Sequence, residues 1–339
     1  CEMVKNKFPQ VKLIENKDNP GFAKANNQAI EKAKGEYILL LNPDTIVAEN
    51  TFQEVCHFMD ENSDAGGLGV KMINGKGEFL PESKRGFPSP FVSFCKIFGL
   101  SHLFPKSKFF GKYHLRYLDE NSIHAVDILA GAFMLMRSET LKKIGYLDES
   151  FFMYGEDIDM SYRITLAGYK NYFLPVRIIH YKGESTQKDS LKYVKIFYQS
   201  MLIFFKKHYH KSSFIFSATI NFAIFFRASL SATKRILHYI IPEKKEKPKR
   251  VVAFGEAGDL KKIFNNLIEI SDKNGFNFFE TEKIIKKEKI NYIILSTKNL
   301  SFADIISISE FLSKQKCEIG IYHPQEKLLI SGKESITIN

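Results

Sequence analysis

Two acidic clusters and one histidine are the groups in this sequence best suited to chemistry on a phosphorylated substrate. Asn42-Pro43-Asp44 closes the apolar run Tyr37-Ile38-Leu39-Leu40-Leu41. In open α/β sheets ligands gather outside the carboxyl ends of the strands, where a carboxylate can hold a hard divalent cation that also grips phosphate oxygens. A single aspartate makes a poor cage, so Asp44 needs partners, and Asn-Pro-Asp taken alone is also an ordinary turn. Gly155-Glu156-Asp157-Ile158-Asp159 opens a helix-like segment. Acids are favoured at the positive end of a helix whatever their role. Here, however, Asp148, Glu149, Glu156, Asp157 and Asp159 crowd into twelve residues beside Phe151, Phe152 and Tyr154. A loop of that kind can present a carboxylate as a general base. His180 ends the strand-like Ile178-Ile179. A lone histidine is more often structural than a ligand, but its imidazole suits a metal shared with Asp44. Lys182, Ser185 and Thr186 follow, placed to meet phosphate or simply to be solvated.

A further candidate is Asn19-Pro20-Gly21-Phe22-Ala23-Lys24-Ala25-Asn26-Asn27. It reads as a helix start, with Asn19 as cap and Pro20 in the first turn. Free backbone N–H groups at such a start attract phosphate, Gly21 allows close approach and Lys24 adds charge. A well-capped surface helix explains the same residues.

The elements that must position these groups alternate. Val11 to Ile14 is a short strand candidate. A helix follows, with Phe22, Ala25, Ala29, Ile30 and Ala33 on one face and Gly35 beyond it. Residues 37–41 read as a buried strand, Phe52, Val55, Cys56 and Met59 mark a helix, and residues 67–80 form strands around Asn74-Gly75. Residues 81–124 hold four prolines among many Phe and Lys residues, and read equally as a mobile excursion or a packed lobe. Asp127 to Met136 is a strand, Ser138 to Ile144 a helix, and Asp157 to Ala167 a helix with Ile158, Tyr162, Thr165 and Leu166 on one face. Tyr172 to Leu174 and Arg177 to Tyr181 are strands. This alternation is an α/β pattern.

Residues 190–241 change character: aromatic and aliphatic, with basic clusters at Lys206-Lys207-His208 and Lys234-Arg235. The uncharged stretch Ser213 to Phe226 is too short to cross a bilayer, which takes about 20 residues. The segment reads as an amphipathic helical region lying at a membrane surface, with helices packed on the preceding unit as the blander account. Residues 242–250 are a charged linker. Residues 251–339 form a small doubly wound, Rossmann-like unit: strands at 251–254, 292–295 and 319–322, helices at 260–270 and 303–312. Gly255-Glu256-Ala257-Gly258 sits where a phosphate loop could lie, but two glycines lack the full fingerprint, and a structural or regulatory module is favoured.

The chain has 339 residues, so more than one domain is expected. Its net charge of +11 suits phosphate-bearing substrates or an anionic membrane surface. No motif for nucleic acid is found. Cys1, Cys56, Cys95 and Cys317 stand far apart, without metal or redox spacing, as expected of a reducing compartment. The absence of a signal peptide adds the expectation of a cytoplasmic location.

Five segments in order carry a family likeness: residues 19–27; Leu41-Asn42-Pro43-Asp44-Thr45; Gly145-Tyr146-Leu147-Asp148-Glu149-Ser150-Phe151-Phe152; Gly155 to Asp159; and His180-Tyr181-Lys182-Gly183-Glu184-Ser185-Thr186. Over residues 1–189 this resembles the family 2 inverting glycosyltransferases of GT-A fold, in their rhamnosyltransferase-like bacterial branch. The resemblance implies transfer of a sugar from a nucleotide-diphosphate donor to a glycan or lipid-linked acceptor in cell-envelope polysaccharide synthesis, at the inner face of the cytoplasmic membrane. It implies Mg²⁺ or Mn²⁺ held by Asp44 and His180, Asn42 standing for the first acid of an Asp-x-Asp motif, Asp157 as general base with Glu156 beside it, and Gly131-Ala132 bordering the donor sugar. Asn19, Gly21, Phe22 and Lys24 fall on the donor side. The family's opening strand-helix-strand, which cradles the base, has no counterpart before Cys1, as in a fragment. A non-catalytic scaffold on the same fold is the alternative; a nucleotidyltransferase would need a glycine- and basic-rich opening loop that is not found.

Overall fold

The computed structural model describes residues 1–181, 191–209, 250–264, 266–270, 277–315, 317–332 and 335–338. Lys182, Ser185 and Thr186, the stretch Ser213 to Phe226 and the linker at 242–249 lie outside the described residues. In chain order the elements are α1 (Glu2–Lys7), α2 (Phe22–Ile30), β1 (Tyr37–Leu41), β2 (Thr45–Val47), α3 (Thr51–Glu61), β3 (Ala65–Ile73), α4 (Pro90–Ile97), α5 (Leu100–Leu103), β4 (His124–Val126) and β5 (Phe133–Arg137). Then come α6 (Ser138–Ile144), α7 (Glu156–Leu166), β6 (Lys170–His180) and α8 (Leu191–His208). The remainder is β7 (Val251–Phe254), β8 (Leu267–Ile270), α9 (Phe278–Glu288), β9 (Tyr292–Ser296), α10 (Phe302–Leu312), β10 (Glu318–His323), β11 (Leu328–Ser331) and β12 (Ser335–Thr337).

The first sheet runs β1-β5-β3-β6-β2, with β4 also on β6. β3 is buried along its whole length, as a central strand covered on both faces must be. β3 and β6 are parallel, with a register break where Val70 opposes Leu174 and Lys71 opposes Arg177. The two extra residues, Pro175 and Val176, form a bulge, which is where a proline is tolerated inside a sheet. The two strands expected at 172–174 and 177–181 are therefore one. The expected strand at 127–136 begins only at Phe133, as β5; residues 127–132 are a loop that follows β4.

Other expectations change as well. Residues 11–14 are coil, with Val11 51% and Leu13 37% exposed: no described strand offers them a ladder. β1 is only half-buried, with Leu40 inside and Leu41 exposed, because it pairs on one side alone. In α7 the inward face is Ile158, Asp159, Met160, Ser161 and Ile164, whereas Leu166 is exposed. In α2 the buried residues are Ala23, Asn27 and Ile30. Residues 81–124 form a packed lobe. Lys84 is buried in its root and donates to the carbonyls of Leu115 and Leu118, its ammonium depressed in pKa by burial.

The second sheet runs β12-β11-β10-β9-β7-β8. Its β8-β7-β9-β10 core is parallel and β11-β12 is an antiparallel extension. The expected helix at 260–270 is a short 3-10 turn followed by β8. Gly255-Glu256-Ala257-Gly258 is no phosphate cradle. Gly255 N–H donates to Ile270 O, Glu256 N–H to Asn299 Oδ1 and Ala257 N–H to Glu269 Oε1.

The two sheets share one apolar core. Ile73, Ile179 and Ala48 of the first pack with Ile293, Ile305, Ile308 and Leu312 of the second. Glu49 accepts from the N–H groups of Phe302 and Ala303 at the start of α10. Lys71, fully buried, reaches Glu310 at 2.5 Å, and Arg177 reaches the other Glu310 oxygen at 3.0 Å. Gly77 lies at φ +76 with its Cα against Ser309 of α10, where a Cβ would sit 1.8 Å from the Ser309 carbonyl oxygen.

α8 packs on α7 and the loop before it: Met201, Phe204 and Phe205 bury against Ile128, Phe151 and Ile158. Its end, expected as a basic rim for a membrane, is tied down. Lys207 bridges Asp148 at 2.5 Å and Asp159 at 2.9 Å, and His208 Nε2 meets Asp159 Oδ1 at 2.7 Å. Arg163 adds a third contact to Asp159 at 2.8 Å. Lys207 and His208 thus anchor the end of α8, while Lys206 and Lys207 remain exposed to solvent. Among the described residues no helix is long and apolar enough to cross a membrane.

Asp159 is fully buried. Burial works against its charge, but hydrogen bonds from Lys207 and His208 and the charge of Arg163 prevail and hold its carboxyl below the usual range. A depressed folded-state value means the stabilisation is present at neutral pH and is lost as pH falls below the unfolded carboxylate value. Asp159→Ala takes a buried partner from Arg163, Lys207 and His208 and is expected to cost ~3–5 kcal/mol, read by urea denaturation at neutral pH. Wild-type stability there, unmoved by the substitution, would remove Asp159 as the anchor of α8.

Candidate active site

β1 ends at Leu41, and the chain turns through Asn42-Pro43-Asp44 into β2. Thr45 Oγ1 donates to Asn42 O at 2.8 Å and closes the turn. β2 then pairs antiparallel with the end of β6, Thr45 opposite His180, and Tyr181 N–H donates to Asp44 O. This register brings Asp44 Oδ1 to 3.3 Å from His180 Nε2, with Asn42 Nδ2 3.5 Å from the same nitrogen. His180 is buried and Asp44 partly open. The separation suits two donors on one ion: neighbouring ligands of an octahedron with bonds of about 2.1 Å lie about 3 Å apart. The described residues hold no group of three or more His, Cys, Asp or Glu side chains able to cage a metal. A cation here would complete its shell with water and phosphate oxygens, as Mg²⁺-type sites commonly do.

The same turn leads to the second acid. Asn42 N–H donates to Ala132 O at 3.0 Å, tying the end of β1 to the loop Leu129-Ala130-Gly131-Ala132. A Cβ on Gly131 would stand 3.6 Å from the Cβ of Asp157 and 3.9 Å from the ring of Phe22. Asn42, Gly131, Phe22 and Asp157 thus form one continuous surface with the Asp44–His180 pair.

Phe22 reaches this surface because α2 begins at Phe22, two residues later than the Asn19-Pro20 reading expects. Gly21 precedes it at φ +88, a conformation side chains resist, and its Cα faces Phe152: a Cβ would meet the Phe152 carbonyl at 2.6 Å. Asn19 Oδ1 accepts from Gly21 N–H at 3.1 Å, and Phe22 N–H donates to Phe152 O at 2.8 Å. Those two N–H groups are committed internally, which corrects the expectation that they await phosphate. Lys24 is exposed in the first turn of α2.

Asp157 sits in the first turn of α7, after Gly155 in the left-handed conformation. Its Oδ1 accepts from Ile158 N–H at 2.8 Å. Its Oδ2 accepts from Arg85 Nη2 at 2.5 Å, and the same nitrogen also donates to Leu129 O. Sequence reasoning missed Arg85; only the basic, acid-poor character of residues 81–124 hinted that this lobe carried something for an acid. Asn27, the last residue of the segment singled out at 19–27, clamps α2 to the acidic loop through Leu147 N–H, Leu147 O and Glu149 Oε1.

Glu156 behaves differently from its neighbour. It is buried, and its Oε2 has no hydrogen-bond partner. Burial, with the adjacent Asp157 charge adding to it, pushes its carboxyl up to about 8. Burial thus favours the uncharged form of Glu156 under the site, and Asp157 is the acid that reaches the surface.

The site thus combines a turn-borne carboxylate and an imidazole at the strand ends with a second carboxylate at a helix mouth across a glycine loop. Residues 1–196 match the family described as glycosyltransferase-like family 2, and the chain belongs to it. It is 26% identical over 210 residues to N-acetylglucosaminyl-diphospho-decaprenol L-rhamnosyltransferase of Mycobacterium tuberculosis, covering 58% of this chain and 67% of that protein. It is 28% identical over 183 residues to rhamnosyltransferase WbbL of Escherichia coli, covering 48% and 61%. Among solved structures, the mannosyltransferase PcManGT from Pyrobaculum calidifontis, in complex with GDP-Man and Mn2+, aligns with a TM-score of 0.39 at 14% identity, covering 72% of this chain and 62% of that one.

The raised carboxyl of Glu156 gives a signed expectation. Stabilisation from the protonated form is complete below the unfolded value near 4.5 and is lost as pH rises toward about 8. Glu156→Gln, which keeps the shape without the charge, should therefore gain on wild type as pH rises through that window. The gain is at most about 1.4 kcal/mol per pH unit. Urea unfolding of both proteins at pH about 5 and about 8 measures it; parallel profiles would show that Glu156 ionises freely.

Proposed function

We propose that this chain transfers a sugar from a nucleotide-diphosphate donor to a glycan or lipid-linked acceptor, with inversion at the anomeric carbon, in building a cell-envelope polysaccharide. The observation that carries this reading is the continuity of the site: Asp44 against His180, Asn42 bonded to Ala132, and Gly131 against Asp157. Membership in the family and the likeness to two rhamnosyltransferases support the donor and acceptor classes.

Asp44 and His180 would hold Mg²⁺ or Mn²⁺. The cation, when bound, offsets negative charge on the leaving diphosphate. Gly131, without a side chain, leaves room for the donor sugar beside Phe22 and Asp157. Asp157 acts as general base. It takes the proton of the acceptor hydroxyl while that oxygen attacks the anomeric carbon from the face opposite the diphosphate. The carbon–oxygen bond to the diphosphate breaks, and the leaving group takes the electron pair. A carboxylate has about four lone-pair directions, so the bonds from Ile158 N–H and Arg85 leave Asp157 able to accept a proton. Arg85 fixes the carboxylate in place, and the uncharged Glu156 spares it a second negative neighbour.

Asp157→Asn should lower turnover by a hundredfold or more, within the ~10²–10⁴ range of general-base effects, while donor affinity measured by calorimetry holds. Near-normal turnover would exclude Asp157 as the base. Asp44→Ala should weaken donor binding in the presence of Mn²⁺ and abolish its sensitivity to chelator. An enzyme indifferent to chelator before the substitution would count against the metal scheme, and a full-length protein with no transfer to any acceptor would favour the scaffold alternative.

A further inference from the structure

The lobe that delivers Arg85 to Asp157 carries an apolar surface that the site does not use. Residues 83–118 contain seven phenylalanines and seven lysines or arginines, and no aspartate or glutamate. Phe91, Phe104, Phe109 and Phe110 stack on one another, with ring centroids 4.6 Å apart for Phe91–Phe109, 5.2 Å for Phe109–Phe110 and 5.4 Å for Phe104–Phe110. The cluster faces outward: Phe91 is 42% exposed, Phe104 52%, Phe109 61% and the adjoining Leu103 69%. Lys106, Lys108 and Lys112 stand exposed in the same stretch, and no described carboxylate pairs with them.

Three large exposed aromatic rings joined through Phe110 are costly to leave in water, and a contiguous patch of this kind marks a contact surface. Its charge selects the partner. A protein partner's surface would offer mixed charge, whereas this stretch is basic throughout. Aromatic rings beside lysines, without acids, match the interfacial region of an anionic bilayer: the rings enter the headgroup boundary and the ammonium groups meet lipid phosphates. The lobe is also firmly rooted. Lys84 is buried, Arg85 is held by Asp157 and Leu129 O, Gly86 N–H donates to Tyr113 O and Phe87 N–H to Asp127 Oδ2. A bilayer touching the outer end is thus rigidly connected to the site at the inner end.

We propose that the Phe91–Phe104–Phe109 face of this lobe docks on an anionic lipid surface and so presents the Asp157 side of the site to an acceptor emerging from that membrane. The surface itself stands on the aromatic cluster and its charge. Its use in catalysis rests on the lipid-linked acceptor of the proposed function.

The test is co-sedimentation of the full chain with vesicles of phosphatidylcholine containing phosphatidylglycerol, and with phosphatidylcholine alone. The protein should pellet with the anionic vesicles and less so at high salt. F104S/F109S and K106S/K108S should each weaken that binding by about tenfold or more, with unchanged far-UV circular dichroism. The chain has no tryptophan, so F109W supplies a single indole whose emission should shift to the blue when vesicles are added. Wild-type protein that stays in solution, F104S/F109S that binds as wild type does, or an F109W spectrum unmoved in vesicle-bound protein would each overturn the proposal. A fall in oligomeric state in F104S/F109S without a change in vesicle binding would reassign the patch to contact between copies. The assay needs neither donor nor acceptor, so its failure leaves the transferase reading intact, and a catalytically inert chain that binds vesicles leaves the docking surface standing.

Discussion

The antiparallel pairing of β2 with the end of β6 is the constraint on which the site depends. Asp44 and His180 meet only in the register that sets Thr45 opposite His180. Side chains alternate along a strand, so a slip of one residue would turn the partner to the other face. β2 has three residues and sits at the sheet edge, too little to hold register unaided. The second sheet supplies what is lacking. Ile46 and Ala48 pack into the core it shares with the first, and Glu49 caps α10. The C-terminal unit thus braces the strand that follows Asp44 and pairs with the end of β6 at His180, whatever else it does.

The other half of the site is built from loops, and there the work is done by hydrogen bonds and buried charge. Asn27 fastens α2 to the acidic loop, Gly21 lets Phe152 close over the turn, and Arg85 spans from the lobe to Asp157. A buried charge is tolerated only when paired, and breaking such a pair costs more than forming it gains. Lys71 with Glu310, Arg85 with Asp157, and Asp159 with Arg163, Lys207 and His208 all obey this rule. All but Asp159–Arg163, one turn apart in α7, link segments distant in sequence, so these pairs specify which surfaces meet as much as how tightly they hold.

Much of the fold was legible in local pattern. β1, α3, α6, α7, β7, β9, α10 and β10 follow from apolar periodicity and from glycines at their ends. The errors share one cause. Leu260, Ile263, Phe264 and Leu267 recur at helical spacing, yet Leu267 to Ile270 is a strand because β7 offers it a parallel ladder. Pro175 signals a break, yet β6 continues past it because β3 tolerates a bulge. Asn19 and Pro20 look like a helix start, yet the helix waits for Gly21 because Phe152 claims the first N–H. In each case a non-local partner outweighed a local preference.

The chemistry-bearing residues and their order were determined by the sequence alone: an aspartate after an apolar strand, a glycine-led acidic helix start and a histidine at a strand end. Those are statements about neighbours along the chain, where spacing and propensity act directly. Tertiary structure alone decided that Arg85 would hold Asp157, that Glu156 would be buried with its carboxyl pushed up, that Lys207 and His208 would pair with Asp148 and Asp159, and that a second sheet would secure β2. The physical reason is that closing a chain loop costs free energy that grows only slowly with its length. Separation along the sequence therefore says little about which charges meet; the packing of elements settles that.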